Sequence, residues 1–270
     1  MPKTTENTDI AVKDNNLALD LSSFAEFQSK DGVIEGLENV ESTDIRMPRH
    51  KLLQSTSEEV SKGLGKPGEF YNTLTHESSP SLEVALLCMS RSRVRFATPY
   101  KRGAAALCRS LNGKVSEDGE LCKGCLYADW DKAKEDGKTA PECRESITWT
   151  FFEDGKFNEL PSRIIVAGAS RAEHSRFITR LAGLGYPPYI FKTTITSEQQ
   201  SNDSGIFYVA KFDLKLDDAG RPATYTVEEA RKLQGECHKW KAMQDRFAEY
   251  DTQNSTIDMI EDEEAGGIYS

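Results

Sequence analysis

The chain has 270 residues, of which 37% are hydrophobic, with a mean hydropathy of −0.58 and a formal net charge of −10. That length carries one large domain or two small ones. No apolar run reaches the roughly 18 residues of a membrane span, and the start, MPKTTENTDIAVKDNN, lacks the basic-then-apolar pattern of a secretory signal. Six cysteines without such a signal point to thiol chemistry in a reducing compartment, and so to a cytoplasmic protein (the host cytoplasm if the protein is viral).

The charge is unevenly spread. Residues 1–45 hold 3 basic and 10 acidic side chains, and residues 245–270 hold 1 basic and 8 acidic, so each arm carries −7. The body between them is left with +4. A mildly basic body between acidic arms permits a polyanionic partner.

Residues 1–45 have scattered apolar pairs and no sustained period, which predicts an arm without fixed structure beyond a short helix near 18–28. A Pro- and Gly-rich, locally basic stretch follows, with Arg46, Arg49, Lys51, Lys62 and Lys66 against Glu58 and Glu59. The glycines around Lys66 lack phosphate-loop spacing. The stretch reads as a turn-rich loop, with Arg49, Lys51 and Lys66 as candidate contacts to a nucleic-acid backbone.

Strands are expected from about Leu82. LEVALLCMS suits a strand buried on both faces. RSRVRF then places Arg91, Arg93 and Arg95 on one face, with Ser92, Val94 and Phe96 on the other. Three arginines in a row repel unless an anion lies across them, so this face, with Lys101 and Arg102 just beyond it, is the leading phosphate-contacting surface. The competing reading is a solvated face paired with carboxylates across the sheet.

From Cys108 to Cys143 the sequence is too polar to build a core, yet it holds four cysteines: Cys108, the Cys-x-x-Cys pair Cys122 and Cys125, and Cys143. A tetrahedral Zn²⁺ bound by all four would supply the folding free energy and leave no open position, making the metal structural. Two disulfides or inert thiols are the alternatives.

Further strands are expected at 146–152, 163–168, 189–195 and 206–216, with a helix opened by the capping box Ser170 to Glu173. Phe177, Ile178, Leu181 and Leu184 form its apolar stripe, while Arg171, Arg176 and Arg180 stand on another face. A second capping box, Thr226 to Glu229, opens a polar helix over 226–250. Residues 251–270 read as a disordered acidic tail with an apolar tip, Ile268-Tyr269. Cys88 and Cys237 are expected as buried thiols and His238 as a surface residue.

Five strands with one helix between the third and fourth give the element order of an OB-fold barrel. The expected architecture is therefore mainly β and OB-like over 46–225, with a zinc-binding insert over 99–145 in its first hairpin. An α+β sheet with a zinc-ribbon insert is the runner-up. No nucleophile elbow, zincin helix or P-loop is present, and histidines 50, 76, 174 and 238 are scattered, so a binding protein is expected and not an enzyme. Arginine-studded strands beside aromatics suit single-stranded nucleic acid, with Trp149, Phe152 and Phe207 as candidate base-stacking residues. The competing class is a zinc-braced module for protein interaction or transcription regulation.

The order of three segments carries a resemblance: RMPRHKLLQSTSEEVSKGLGKPGEFYNTLT, the cysteine insert, and the strand–helix unit ending SRAEHSRFITRLAGLG. Over roughly residues 45–215 the chain resembles a family of phage-encoded single-stranded-DNA-binding proteins. The resemblance implies an OB-like DNA-binding core, a Cys₄ zinc-like element and a role in DNA replication or recombination. In plan the chain is also similar to phage helix-destabilising proteins, whose acidic tail recruits replication partners. The acidic N-terminal arm is not part of that pattern.

Overall fold

The computed structural model describes residues 47–97, 105–138, 140–157, 159–202 and 205–243. The proposed arm 1–45, the tail 251–270, and Lys101 and Arg102 lie outside them. Nine strands form one sheet that curls into a half-barrel. They are β1 (Arg49–Leu52), β2 (Phe70–Asn72), β3 (Ser78–Ser79), β4 (Ser81–Arg95), β5 (Cys108–Ser110), β6 (Cys143–Glu153), β7 (Ser162–Val166), β8 (Thr193–Asn202) and β9 (Gly205–Leu214). The helices are α1 (Glu58–Ser61), α2 (Trp130–Glu135), α3 (Ser170–Leu184) and α4, described over 227–243. The strand order is β3-β2-β1-β7-β6-β4-β8-β9, with β5 on the far end of β4. The β1/β7 pair is parallel, and the other ladders are antiparallel.

β4 is the spine, pairing with β6, β8 and β5. A register shift between Leu86 and Cys88 puts a bulge in its middle. Before it, Leu82, Val84 and Leu86 face the main core, which also holds Trp149, Phe151, Phe177 and Phe212. After it the phase changes, so that Met89 packs on that same core and Arg91, Arg93 and Arg95 follow it at period two. A bulge inserts one unpaired residue and reverses the alternation of faces. The arginines are thereby turned to the side that α3 covers.

The opposite face of β4 and β6 carries a second core of Met47, Ala85, Leu87, Cys88, Phe152, Tyr225, Leu233 and Trp240, the last two from α4. The Cys237 thiol donates to the Leu87 carbonyl, and burial pushes its pKa up. Cys88 is buried as expected, Cys237 is half-buried against the same core, and His238 is exposed. The capping box at Thr226 forms in both directions: the Thr226 amide donates to Glu229 Oε2 (2.8 Å) and the Glu229 amide to Thr226 Oγ1 (3.3 Å). Val227, in the first turn of that helix, is exposed.

Two expectations are corrected. Strands begin at Arg49, well before Leu82, because the supposed loop contributes β1, β2 and β3. β1 is only 4 residues of RHKL, too short and polar to show a strand period. It exists because it pairs with β2 on one side and β7 on the other. Ser170 does not cap α3: the cap position is Ala169, and the Ser170 hydroxyl instead accepts from the Ala210 amide of β9 at 2.9 Å.

The gap between β1 and β9 is bridged by one side chain. Buried Gln54 donates from Nε2 to the Tyr208 carbonyl and accepts from the Tyr208 amide at Oε1, both at 2.9 Å. Its carboxamide thus acts as a strand neighbour for β9. Gly68 packs so closely here, with φ +86°, that a Cβ would lie 2.7 Å from the Tyr208 ring. Gln54→Leu leaves two backbone groups unpaired, at about 1–3 kcal/mol each. Urea unfolding should show a loss of about 2–6 kcal/mol; a change within about 0.5 kcal/mol would mean that Gln54 does not hold the seam.

Candidate nucleic-acid interface

The reversed phase of β4 brings its arginines opposite an acidic residue of β6. Arg93 is in register with Glu145, Arg91 with Ile147 and Arg95 with Cys143. Glu145 accepts from Arg91 Nη1 at 3.1 Å, lies 3.7 Å from Arg93 Nη2, and accepts from Arg171 Nη2 of α3. Charge-assisted bonds of this kind contribute about 1.5–3 kcal/mol each. Guanidiniums crowded round one carboxylate also repel one another, by on the order of 3 kcal/mol per pair at an effective dielectric near 20. One carboxylate therefore holds three cations without neutralising them.

The donors are not exhausted. Nε of Arg93, Arg95 and Arg171 is buried without a hydrogen-bond partner among the described residues. Arg91 is 45% exposed while Glu145 is 11% exposed, so the cluster presents cations outward over a sunken anion. Beside it lies a cleft of 140 Å³ lined by Arg93, Arg144 and Arg171, by Glu145, Cys143 and Pro141, and by Ala128 and Trp130.

Beneath the cluster, buried His174 accepts from Trp149 Nε1 at 2.8 Å. Burial, with Arg91 and Arg171 adding positive charge, pulls its pKa down to about 4. The neutral ring thus fixes both Trp149 and α3.

The cysteine segment begins and ends on this same strand end. Cys108 of β5 and Cys143 of β6 are the register partners of Arg95 from its two sides. Cys122 and Cys125 sit on a turn closed by the Cys125 amide donating to the Cys122 carbonyl at 3.3 Å, with Gly124 at φ 78°. All four are free thiols, half-buried. Burial pushes Cys143 up to about 11, and the neighbouring Cys125, Cys108 and Cys122 add to it. Cys108 is raised by burial, with Cys122 and Cys125 adding. The four sulfurs thus lie near enough to influence one another. Among the described residues, however, no three or more His, Cys, Asp or Glu side chains are grouped as ligands around a metal position.

The other expected contacts divide. Arg176 pairs with Glu173, and Arg180 reaches Asp213 of β9 at 3.1 Å; both arginines are largely exposed. Lys66 is exposed in the turn before β2. Arg49 and Lys51 are corrected: both are under 9% exposed within β1, and the Lys51 ammonium donates to Glu59 at 2.9 Å. Strand pairing, invisible in so short a segment, buries them. The stacking roles of Trp149, Phe152 and Phe207 are corrected as well. They are 3%, 2% and 5% exposed and belong to the cores, because the half-barrel is covered by α3 on one face and α4 on the other.

Two exposed aromatics stand in the insert, and a third, Tyr186 at 64%, lies between α3 and β8. Tyr127 is 49% and Trp130 is 38% exposed, and the Arg95 guanidinium lies 3.5 Å from the Tyr127 ring centre. Sequence reasoning passed over Glu145 although a signal existed. It shares its phase with Ile147, Trp149 and Phe151, so an acidic residue on an otherwise apolar face marked a buried charge in need of partners.

The chain belongs to a phage protein family. The family model described as Pam3 phage gp34-like protein matches residues 12–239. No curated protein and no solved structure matches. Among the described residues no helix is long and apolar enough to cross a membrane.

The depressed His174 pKa has a defined consequence. The ring is neutral in the folded protein and protonates near pH 6.5 when unfolded, so its contribution is complete above about pH 6.5 and lost as pH falls to about 4. At 1.36 kcal/mol per pH unit this is about 3 kcal/mol. Glu153, held at about 2 chiefly by its hydrogen bond from His50, contributes in a lower window. Urea midpoints should decline between pH 6.5 and 4 in the wild type and decline less in His174→Gln; parallel curves would refute this.

Proposed function

We propose that this phage protein binds single-stranded DNA without sequence preference, coating and protecting it in genome replication, recombination or repair. The observation that carries this reading is the sharing of Glu145 by Arg91, Arg93 and Arg171, which leaves a net cationic patch on β4 and α3. A polyanion is the partner that such a patch fits. The order β4, β6, β7, α3, β8, β9 supports an OB-type barrel, in which the cysteine segment becomes the loop joining the first two strands and the β8–β9 turn the loop joining the last two. Those two loops are the ones with which OB-folds bind oligonucleotides. The tail 251–270, acidic and outside the described residues, fits a role in competing for the cationic patch and in recruiting replication or recombination proteins.

Zinc belongs to the same proposal. Four free thiols brought near one another on a segment with little core of its own are a donor set suited to one structural Zn²⁺. Binding requires Cys122 and Cys125 to draw in toward Cys108 and Cys143. The metal would supply folding energy to the insert and no chemistry.

Anisotropy of a labelled oligo-dT across a salt series tests the DNA reading. Wild type should bind with affinity falling as salt rises, and Arg91→Gln with Arg171→Gln should flatten that slope by about 1.4, at about 0.7 per lost phosphate contact. A wild type that does not bind at micromolar protein, or an unchanged slope in the double variant, contradicts it. Metal analysis of the purified full chain tests the zinc reading. About one zinc per chain, lowered in Cys122→Ser, is expected, and a folded metal-free wild type refutes it.

A further inference from the structure

The cleft beside the arginine cluster is too small for an enclosed ligand. Pockets that bury a drug-sized molecule measure about 300–1,000 Å³, and this one is 140 Å³, with the partly exposed Trp130 on its lining. It suits one phosphate or the edge of one base on a strand that runs past it. Guanidiniums and an indole both line it: Arg93 and Arg171 come from β4 and α3, Trp130 from the first turn of α2.

We propose that the cysteine segment carries the base-stacking residue, with Trp130 holding one unpaired base while Arg93 and Arg171 hold the adjoining phosphate. This rests on the single-stranded nucleic-acid reading and adds the position where base and backbone are gripped together. Three observations converge on it. The strand aromatics expected as stacking faces, Trp149, Phe152 and Phe207, are buried in the cores. Trp130 keeps 38% of its surface open on the lining of a cleft that also holds arginines. Arg93 and Arg171 each retain a buried Nε without a partner, which a phosphate oxygen can satisfy as it turns the guanidinium away from Glu145. A sequence-neutral strand binder needs this pairing of cation and ring, since every base has a stacking face and every linkage a charge. Tyr127, under the Arg95 guanidinium, is a second exposed ring in the same segment.

The chain has three tryptophans, and Trp149 and Trp240 are 3% and 7% exposed. Indole emission quenched by a bound oligonucleotide therefore reports on Trp130. With the full chain and oligo-dT at fixed salt, wild type should show quenching. Trp130→Phe should keep its affinity within about twofold yet lose the quench. Trp130→Ala should bind about tenfold more weakly with an unchanged salt slope, in the range expected for one lost stack. A duplex of equal length should not quench, since its bases are already stacked. Binding with a quench that persists in Trp130→Phe, unchanged affinity in Trp130→Ala, or equal quenching by duplex overturns the assignment and leaves the strand-binding reading in place. A wild type that ignores oligo-dT altogether overturns both.

Discussion

The bulge between Leu86 and Cys88 decides what β4 can do. A regular 15-residue strand would hold one phase along its length, so that with Leu82, Val84 and Leu86 in the core, Arg91, Arg93 and Arg95 would face the other way. One inserted residue lets the first half of the strand build the core and the second half direct three cations to the same side. Glu145, in register with Arg93, and Arg171, on the helix that covers this side, can meet them only in that arrangement. The half-barrel and its cationic end are two consequences of one irregularity.

Glu145 keeps the cluster folded without removing its charge. A carboxylate at each arginine would leave a neutral surface, and no carboxylate would leave guanidiniums repelling at close range. A single sunken acid makes their close approach tolerable and keeps the side chains splayed over a cleft. The neutral His174 beneath follows the same economy, since a fourth cation there would add repulsion where solvent cannot screen it.

Much of the fold was legible in the sequence. The alternation of Ile147, Trp149 and Phe151, the period-two arginines, the stripe of Phe177 and Leu181 and the Thr226 capping box all fall where patterning places them, because each is a local signal. What could not be read depends on distant partners. RHKL becomes a strand only between β2 and β7, Gln54 becomes a strand neighbour only beside Tyr208, and Ser170 gives up its cap for the Ala210 amide. The candidate site divides in the same way. The basic face was visible, whereas the aromatics expected to serve it were taken for surface residues when helices on both faces bury them. Trp130 and Tyr127 are isolated aromatic residues in a polar segment, and only the folded insert sets them beside the arginines.

The cysteine segment consequently does more than join two strands: it sets aromatic rings against a row of cations on β4, the strand it leaves before entering β6. Photocross-linking addresses that account most directly, using an oligonucleotide that carries 5-iodo-deoxyuridine, bound to the full chain and mapped by mass spectrometry. Cross-links concentrated in residues 127–130 and at the Arg91–Arg95 end of β4 are expected. Cross-links confined to the opposite end of the barrel, around His50 and Glu83, or an absence of cross-links at saturating oligonucleotide, would contradict it.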